Sequence, residues 1–190
     1  MGDIRRSASA VAIAAVIVAG LSGCLGGGDK DGGSKAQGTS TGGTTVSKGG
    51  VTVVKTGKPI VQATFSSPIA PGATVDIGIL GLKVNGKLAD LTVSMTPHVR
   101  NAPTQQLTPY RLNGQTTIGV FLIDTVNLKR YLVVKDSGGK ELQTDYVTTN
   151  IANDQPGQLS FTFAAPPQGV DKIDVQIGNW PTFHNVPIER

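Results

Sequence analysis

Cysteine is nearly absent from this chain: Cys24 is the one thiol in 190 residues, so no intramolecular disulfide can form and no cysteine-rich zinc site can be built. Histidine is almost as scarce. His98 and His184 stand in neither an H-E-x-x-H nor an H-x-H arrangement, which removes the usual histidine zinc sites. Only 16% of residues are charged, and the net charge of +4 is spread along the chain without a clustered basic face, so nucleic acid is not an expected partner. No P-loop or G-x-G-x-x-G occurs, and nothing in the chain calls for a cofactor. Ser137-Gly138-Gly139-Lys140 matches S-x-x-K, but that chemistry needs the serine at a helix start, and here the two residues flank a Gly-Gly turn. The expectation is therefore a protein that is not an enzyme. Long hydrophobic runs are also missing. The one uncharged apolar stretch, Ala8 to Gly20, spans 13 residues, short of the roughly 20 that a membrane-crossing helix requires.

That stretch follows Arg5 and Arg6, giving a positive segment and then an apolar one, the layout of an export signal. It leads into Leu21-Ser22-Gly23-Cys24, which resembles the lipobox of bacterial lipoproteins. The spacing has a chemical reason. Small residues let the backbone enter a peptidase site, and the thiol accepts a diacylglycerol before the bond preceding it is cut. A lone free thiol outside the cell would be a liability, whereas a lipidated one is an anchor. Two acyl chains at about 0.8 kcal/mol per buried CH₂ suffice for stable attachment. The expected partner of Cys24 is thus the membrane, and the expected location is its extracytoplasmic face. Removing residues 1–23 takes out Asp3, Arg5 and Arg6 and lowers the net charge from +4 to +3.

Residues 24–50 read as the lipidated cysteine and a linker: from Leu25 to Gly50, 17 of 26 residues are Gly, Ser or Thr. Such a stretch cannot bury enough apolar surface to offset the entropy of ordering it. Its reach is roughly 25–31 Å by random-coil scaling. The foldable domain is residues 51–190, long enough to bury a core unaided.

Within that domain the hydrophobic period is two. Leu91, Val93 and Met95 alternate with polar residues, as do Leu159, Phe161 and Phe163, and Ile173, Val175 and Ile177. Thr117–Ile123 and Tyr131–Val134 are apolar on both parities and read as central or doubly covered strands. Asn85-Gly86 predicts a hairpin turn, and Asp136-Ser137-Gly138-Gly139 another. The inward phase switches near Gly78 and Gly81, from Val75/Ile77/Ile79 to Leu80/Leu82/Val84, which predicts a bulge or bend. Seven to nine short strands with almost no helix predict an all-β, immunoglobulin-like Greek-key sandwich. Pro97–Gly114, with Pro97, Pro103 and Pro109, reads as an irregular loop that cannot be a central strand.

Leu80–Val93 (LGLKVNGKLADLTV), Val120–Gly138 (VFLIDTVNLKRYLVVKDSG) and Leu159–Ile188, with its V-D-K-I-D-V and P-T-F-H-N-V-P-I elements, resemble the uncharacterised immunoglobulin-like lipoprotein domains of actinobacteria. The resemblance covers most of residues 73–188. It implies a β-sandwich on an envelope lipoprotein and brings no catalytic residues. Where members often carry cysteines after the DSG turn, this chain has Glu141-Leu142-Gln143-Thr144.

Two functional readings follow. In the first, a tethered, non-catalytic binding or adhesion module presents its loops to an envelope polymer or a protein; the candidate contacts are Tyr110 and Arg111 in the long loop and Trp180, Phe183 and His184 near the C-terminus. Those last three could form an aromatic platform, or could plug the open end of a sandwich. In the second, the thioether of Met95 and the imidazole of His98, three residues apart, hold copper in an exported protein, with His184 as a further candidate ligand. A bland alternative points Met95 into the core and leaves His98 outside it.

Overall fold

The computed structural model describes residues 57–101 and 106–190. Cys24, the Leu21-Ser22-Gly23 segment, the linker and residues 51–56 lie outside the described residues. Among those described, eight strands form two antiparallel four-stranded sheets packed face to face, the expected β-sandwich. The strands are β1 (Val61–Ser66), β2 (Thr74–Asn85), β3 (Leu88–His98), β4 (Val120–Asp124), β5 (Lys129–Leu132), β6 (Gly157–Ala164), β7 (Lys172–Ile177) and β8 (Phe183–Pro187). One sheet has the order β1-β2-β3-β6 and the other β5-β4-β7-β8. The second sheet pairs two hairpins through the non-sequential neighbours β4 and β7, as in immunoglobulin-like sandwiches. The first departs from that pattern because the β2–β3 hairpin places an extra strand between β2 and β6.

The alternating residues meet in one core. Leu91, Val93 and Met95 from β3, Leu159, Phe161 and Phe163 from β6, and Ile173, Val175 and Ile177 from β7 are all buried there. Burying each such side chain contributes about 1.5–3 kcal/mol, so this core is the main stabilising term. The phase switch in β2 is a bulge: the register slips between Ile79 and Gly81, so that Val75, Ile77, Ile79 and Leu82 all point inward. Gly78 stands where a Cβ would lie 2.8 Å from both Pro59 Cγ and Ser94 Oγ. The hairpin turn falls one residue later than the sequence predicts. Asn85 pairs with Leu88, and the two central residues are Gly86 and Lys87, with Gly86 at φ +61°.

Tyr131–Val134 is not central. β5 lies at the edge of its sheet, and beyond Leu132 the chain crosses to the other sheet, where Val133 bridges Phe163 and the Val134 amide donates to the Thr162 carbonyl (2.9 Å). The Asp136–Gly139 turn follows, closed by the Asp136 amide to the Lys140 carbonyl (2.9 Å), and the returning chain bridges β6 at Phe161. The opposite side is closed as well. Past β8, Glu189 pairs in parallel with Lys83 in β2, beyond Ile79, where the pairing with β1 begins. Segments that switch sheets thus cover ladder groups that would otherwise be open to strand addition.

The expected loop Pro97–Gly114 is partly ordered structure. Pro97 and His98 end β3, opposite Val75 and Thr74, beyond Met95 where the pairing with β6 stops. A proline is tolerated there because only one side of the strand carries ladder bonds. Further on, Thr108 caps a one-turn helix, α1 (Pro109–Leu112), accepting from the Arg111 amide at 3.3 Å, with Pro109 at the first helical position. Leu107 and Leu112 are buried.

Candidate functional site

β2 begins, β3 ends and β6 begins at one end of the sandwich, and a polar cleft of about 590 Å³ opens there. His98 is its centre. As the last residue of β3 it points to the outer side of the sheet, where its neighbours are carboxylates: Asp154 Oδ1 lies 2.7 Å from Nδ1 and Asp76 Oδ2 lies 3.2 Å from Nε2. A neutral imidazole carries one N–H and can donate only once, so both contacts are satisfied only by the imidazolium. The Asp154 hydrogen bond accordingly raises the His98 pKa above its ordinary 6.5, with Asp76 adding to it and partial burial opposing it.

The carboxylates are themselves held. Asp76 Oδ1 accepts from Thr64 Oγ1 at 2.6 Å. Asp154 Oδ2 accepts from the Asn153 amide side chain at 2.7 Å, and the Asp154 main-chain amide donates to the Pro97 carbonyl at 2.8 Å. Asn153 also clips the end of β3, with its side chain accepting from the Val99 amide (2.8 Å) and donating to the Val99 carbonyl (3.2 Å). Asn101 and Asp154 both sit in the left-handed backbone region, at φ +56° and +58°. Asn and Asp tolerate that region better than other non-glycine residues, at some cost in strain. Arg100 and Asn101 complete the rim, and Arg100 makes no ion pair among the described residues. The result is a preformed set of donors and acceptors facing water.

The structure separates the other residues singled out in the sequence. Met95 is fully buried in the core, while His98 faces the cleft on the opposite side of the same strand, so the two do not converge on a metal; among the described residues no cluster of His, Cys, Asp or Glu is arranged to hold one. Alternation along the strand separates them, since three residues apart is an odd step. Trp180 and Phe183 are 6% and 5% exposed and belong to the core. Phe183 meets Phe65 edge to face at 5.7 Å, and Trp180 Nε1 donates to the Ser66 carbonyl at 3.2 Å. Their rings plug the end of the sandwich and offer no open platform. His184 is exposed, and its Nδ1 is 2.7 Å from Asp174 Oδ2 on neighbouring β7. Tyr110 and Arg111 are half-buried in α1, where the Arg111 guanidinium donates to the Gln106 carbonyl at 3.2 Å. None of these lines the cleft with His98.

The cleft residues that sequence reading missed are Asp76, Asp154, Asn153, Asn101 and Arg100. Asp76 and Asp154 are 22 and 56 positions from His98. The one local signal was Asn153-Asp154, two residues suited to a turn with positive φ.

A scan against protein-family models finds no match, and a search of curated proteins finds none either. Among solved structures, the chain is similar to one described as "a putative lipoprotein from Staphylococcus aureus subsp. aureus NCTC 8325", with 12% identity over 65% of this chain and 96% of that chain and a TM-score of 0.37. At that score the likeness carries no argument, and the fold rests on the strand pairing of this chain.

Proposed function

We propose that this protein is a lipid-anchored lipoprotein of the cell envelope, held by Cys24 on the extracytoplasmic face of the membrane, whose β-sandwich is a non-catalytic binding module. The Leu21-Ser22-Gly23-Cys24 motif supports the address. The single observation that carries the binding role is the cleft around His98, where a rigid sheet end presents fixed donors and acceptors to solvent. An envelope polymer bearing hydroxyl and charged groups suits this lining, because Asn, Asp and Arg side chains satisfy such groups by directed hydrogen bonds. The non-catalytic reading is supported by His98 itself. A general base needs a free ring nitrogen facing a nucleophile, and both His98 nitrogens face carboxylates. The same engagement argues against the copper reading.

Two measurements test the proposal. Mass spectrometry of the protein from its native membrane should find the chain beginning at Cys24 with a diacylglycerol thioether; an unprocessed terminus or a free thiol would refute the anchor. Retention of envelope polysaccharides by the immobilised wild-type protein should be lost in Asn101→Ala/Asn153→Ala; equal retention by both would refute the cleft. Calorimetric titration with Cu(I) separates the second reading, since wild-type binding that disappears in Met95→Ala/His98→Ala would restore it.

A further inference from the structure

The sandwich carries a second distinctive feature at the end opposite the His98 cleft. There β4 and β5 are joined by a hairpin whose tip exposes two apolar side chains, Val126 at 84% and Leu128 at 90%. The tip is built, not frayed. Asp124 is buried at its base and accepts from the Val126 amide (3.1 Å), the Asn127 amide (2.9 Å) and the Asn127 side chain (2.8 Å). Leu128 is held at φ +50°, an uncommon and costly conformation for a branched residue. Both apolar groups are therefore fixed in water by a preorganised turn.

The charge around them has one dominant sign. Lys129 and Arg130 follow the tip directly and are exposed. At the same end, Lys172 opens β7 and Lys87 lies in the β2–β3 turn, again exposed; against these four stand Asp171, Glu189 and the buried Asp124 carboxylate beneath the tip. Arg130, opposite Ile123, lies over the Phe121 ring, 4.7 Å from its centroid, and so turns back from the tip along β4. Moreover, β1 runs toward the cleft end, so the chain enters the sandwich on the side of the tip.

We propose that the β4–β5 tip is a membrane-contact element: Val126 and Leu128 enter the headgroup region of an anionic lipid surface while Lys129, Lys87 and Lys172 face its phosphates, with Arg130 adding positive charge behind them. Apolar residues backed by cations are the combination that interfacial binding requires, since apolar burial and electrostatic attraction add. Docked this way, the domain would turn its cleft away from the membrane. The inference extends the proposed anchoring without depending on acylation of Cys24.

The test uses residues 42–190, which carry all eight described strands and their core and lack Cys24. Co-sedimentation with vesicles of equimolar phosphatidylglycerol and phosphatidylcholine at low salt should show binding that weakens in high salt and on pure phosphatidylcholine. Val126→Ser/Leu128→Ser should lower the partition coefficient by about tenfold or more, with an unchanged urea midpoint showing that the fold is intact. Lys129→Glu/Arg130→Glu should weaken binding to the anionic vesicles alone. No binding by the wild type, or equal binding by the serine variant, overturns the inference. Tip-dependent self-association in sedimentation velocity without vesicle binding overturns it too, by assigning the tip to a second copy of the chain. A free thiol at Cys24 would sink the acyl anchor and leave this result standing.

Discussion

Trp180 gives the sharpest test of how the C-terminal aromatics are used, because a platform and a plug respond oppositely to its removal. It is the chain's one tryptophan, 6% exposed, in the core beside Phe183, with its indole N–H on the Ser66 carbonyl. Truncation to Ala forfeits the transfer energy of the ring and leaves a cavity, a loss of about 3–5 kcal/mol for a buried aromatic. Of that, roughly 1 kcal/mol belongs to the hydrogen bond. A Trp180→Phe variant keeps most of the apolar contact and should lose about 1–2 kcal/mol. Against a typical total of about 5–15 kcal/mol, Trp180→Ala should remove a large share of the domain's stability. Urea melts followed by circular dichroism, which does not need the deleted fluorophore, measure all three proteins. Wild-type emission should be blue-shifted and move to the red across the same transition. A loss below about 1 kcal/mol in Trp180→Ala would refute the plug and return the ring to a surface role.

Other expectations follow from the same geometry. His98, titrated by NMR, should show a pKa above 6.5 that falls toward the ordinary value in Asp154→Asn; a wild-type value at or below 6.5 would contradict the clamp. Because its folded pKa is raised, its contribution to stability is complete below the unfolded value of about 6.5 and is lost as pH rises through the folded one. With 38% of the side chain exposed, solvent screening keeps that contribution small, roughly 0–1 kcal/mol. Asp124 works in the opposite direction: its hydrogen bonds with Asn127 hold its pKa below 3.8, so its stabilisation is present above the unfolded value and is lost as pH falls through the folded one. Urea midpoints between pH 2 and 5 should therefore fall less steeply in Asp124→Asn than in the wild type, an acid range given to order of magnitude by ordinary carboxylate titration. Gly78→Val should destabilise by about 1–3 kcal/mol through overpacking against Pro59 and Ser94, and an unchanged melting temperature would show that the two neighbours yield freely.

The strands were legible before any coordinates because burial on one face of a sheet is written locally: Leu159, Phe161 and Phe163 alternate with polar neighbours whatever they later touch. The bulge near Gly81 was legible for the same reason, as a change of parity within β2. Tyr131–Val134 misled because an apolar run records only that a segment is covered. It does not record whether the cover is its own sheet or, as here, the edge of the other one.

What the sequence determined by itself is the two-residue rhythm that makes a sandwich, together with the Cys24 motif and Gly/Ser/Thr-rich stretch from which a lipid tether is proposed, since these reside in neighbouring residues. What only the tertiary structure decided is the cleft and the fate of the aromatics. Asp76, His98 and Asp154 come together because β2 pairs with β3 and the segment before β6 returns to the same end, and Trp180 turns inward because Ser66, 114 positions away, supplies the acceptor for its N–H. Contacts between residues so far apart are set by strand order and register, which the period of a strand does not specify.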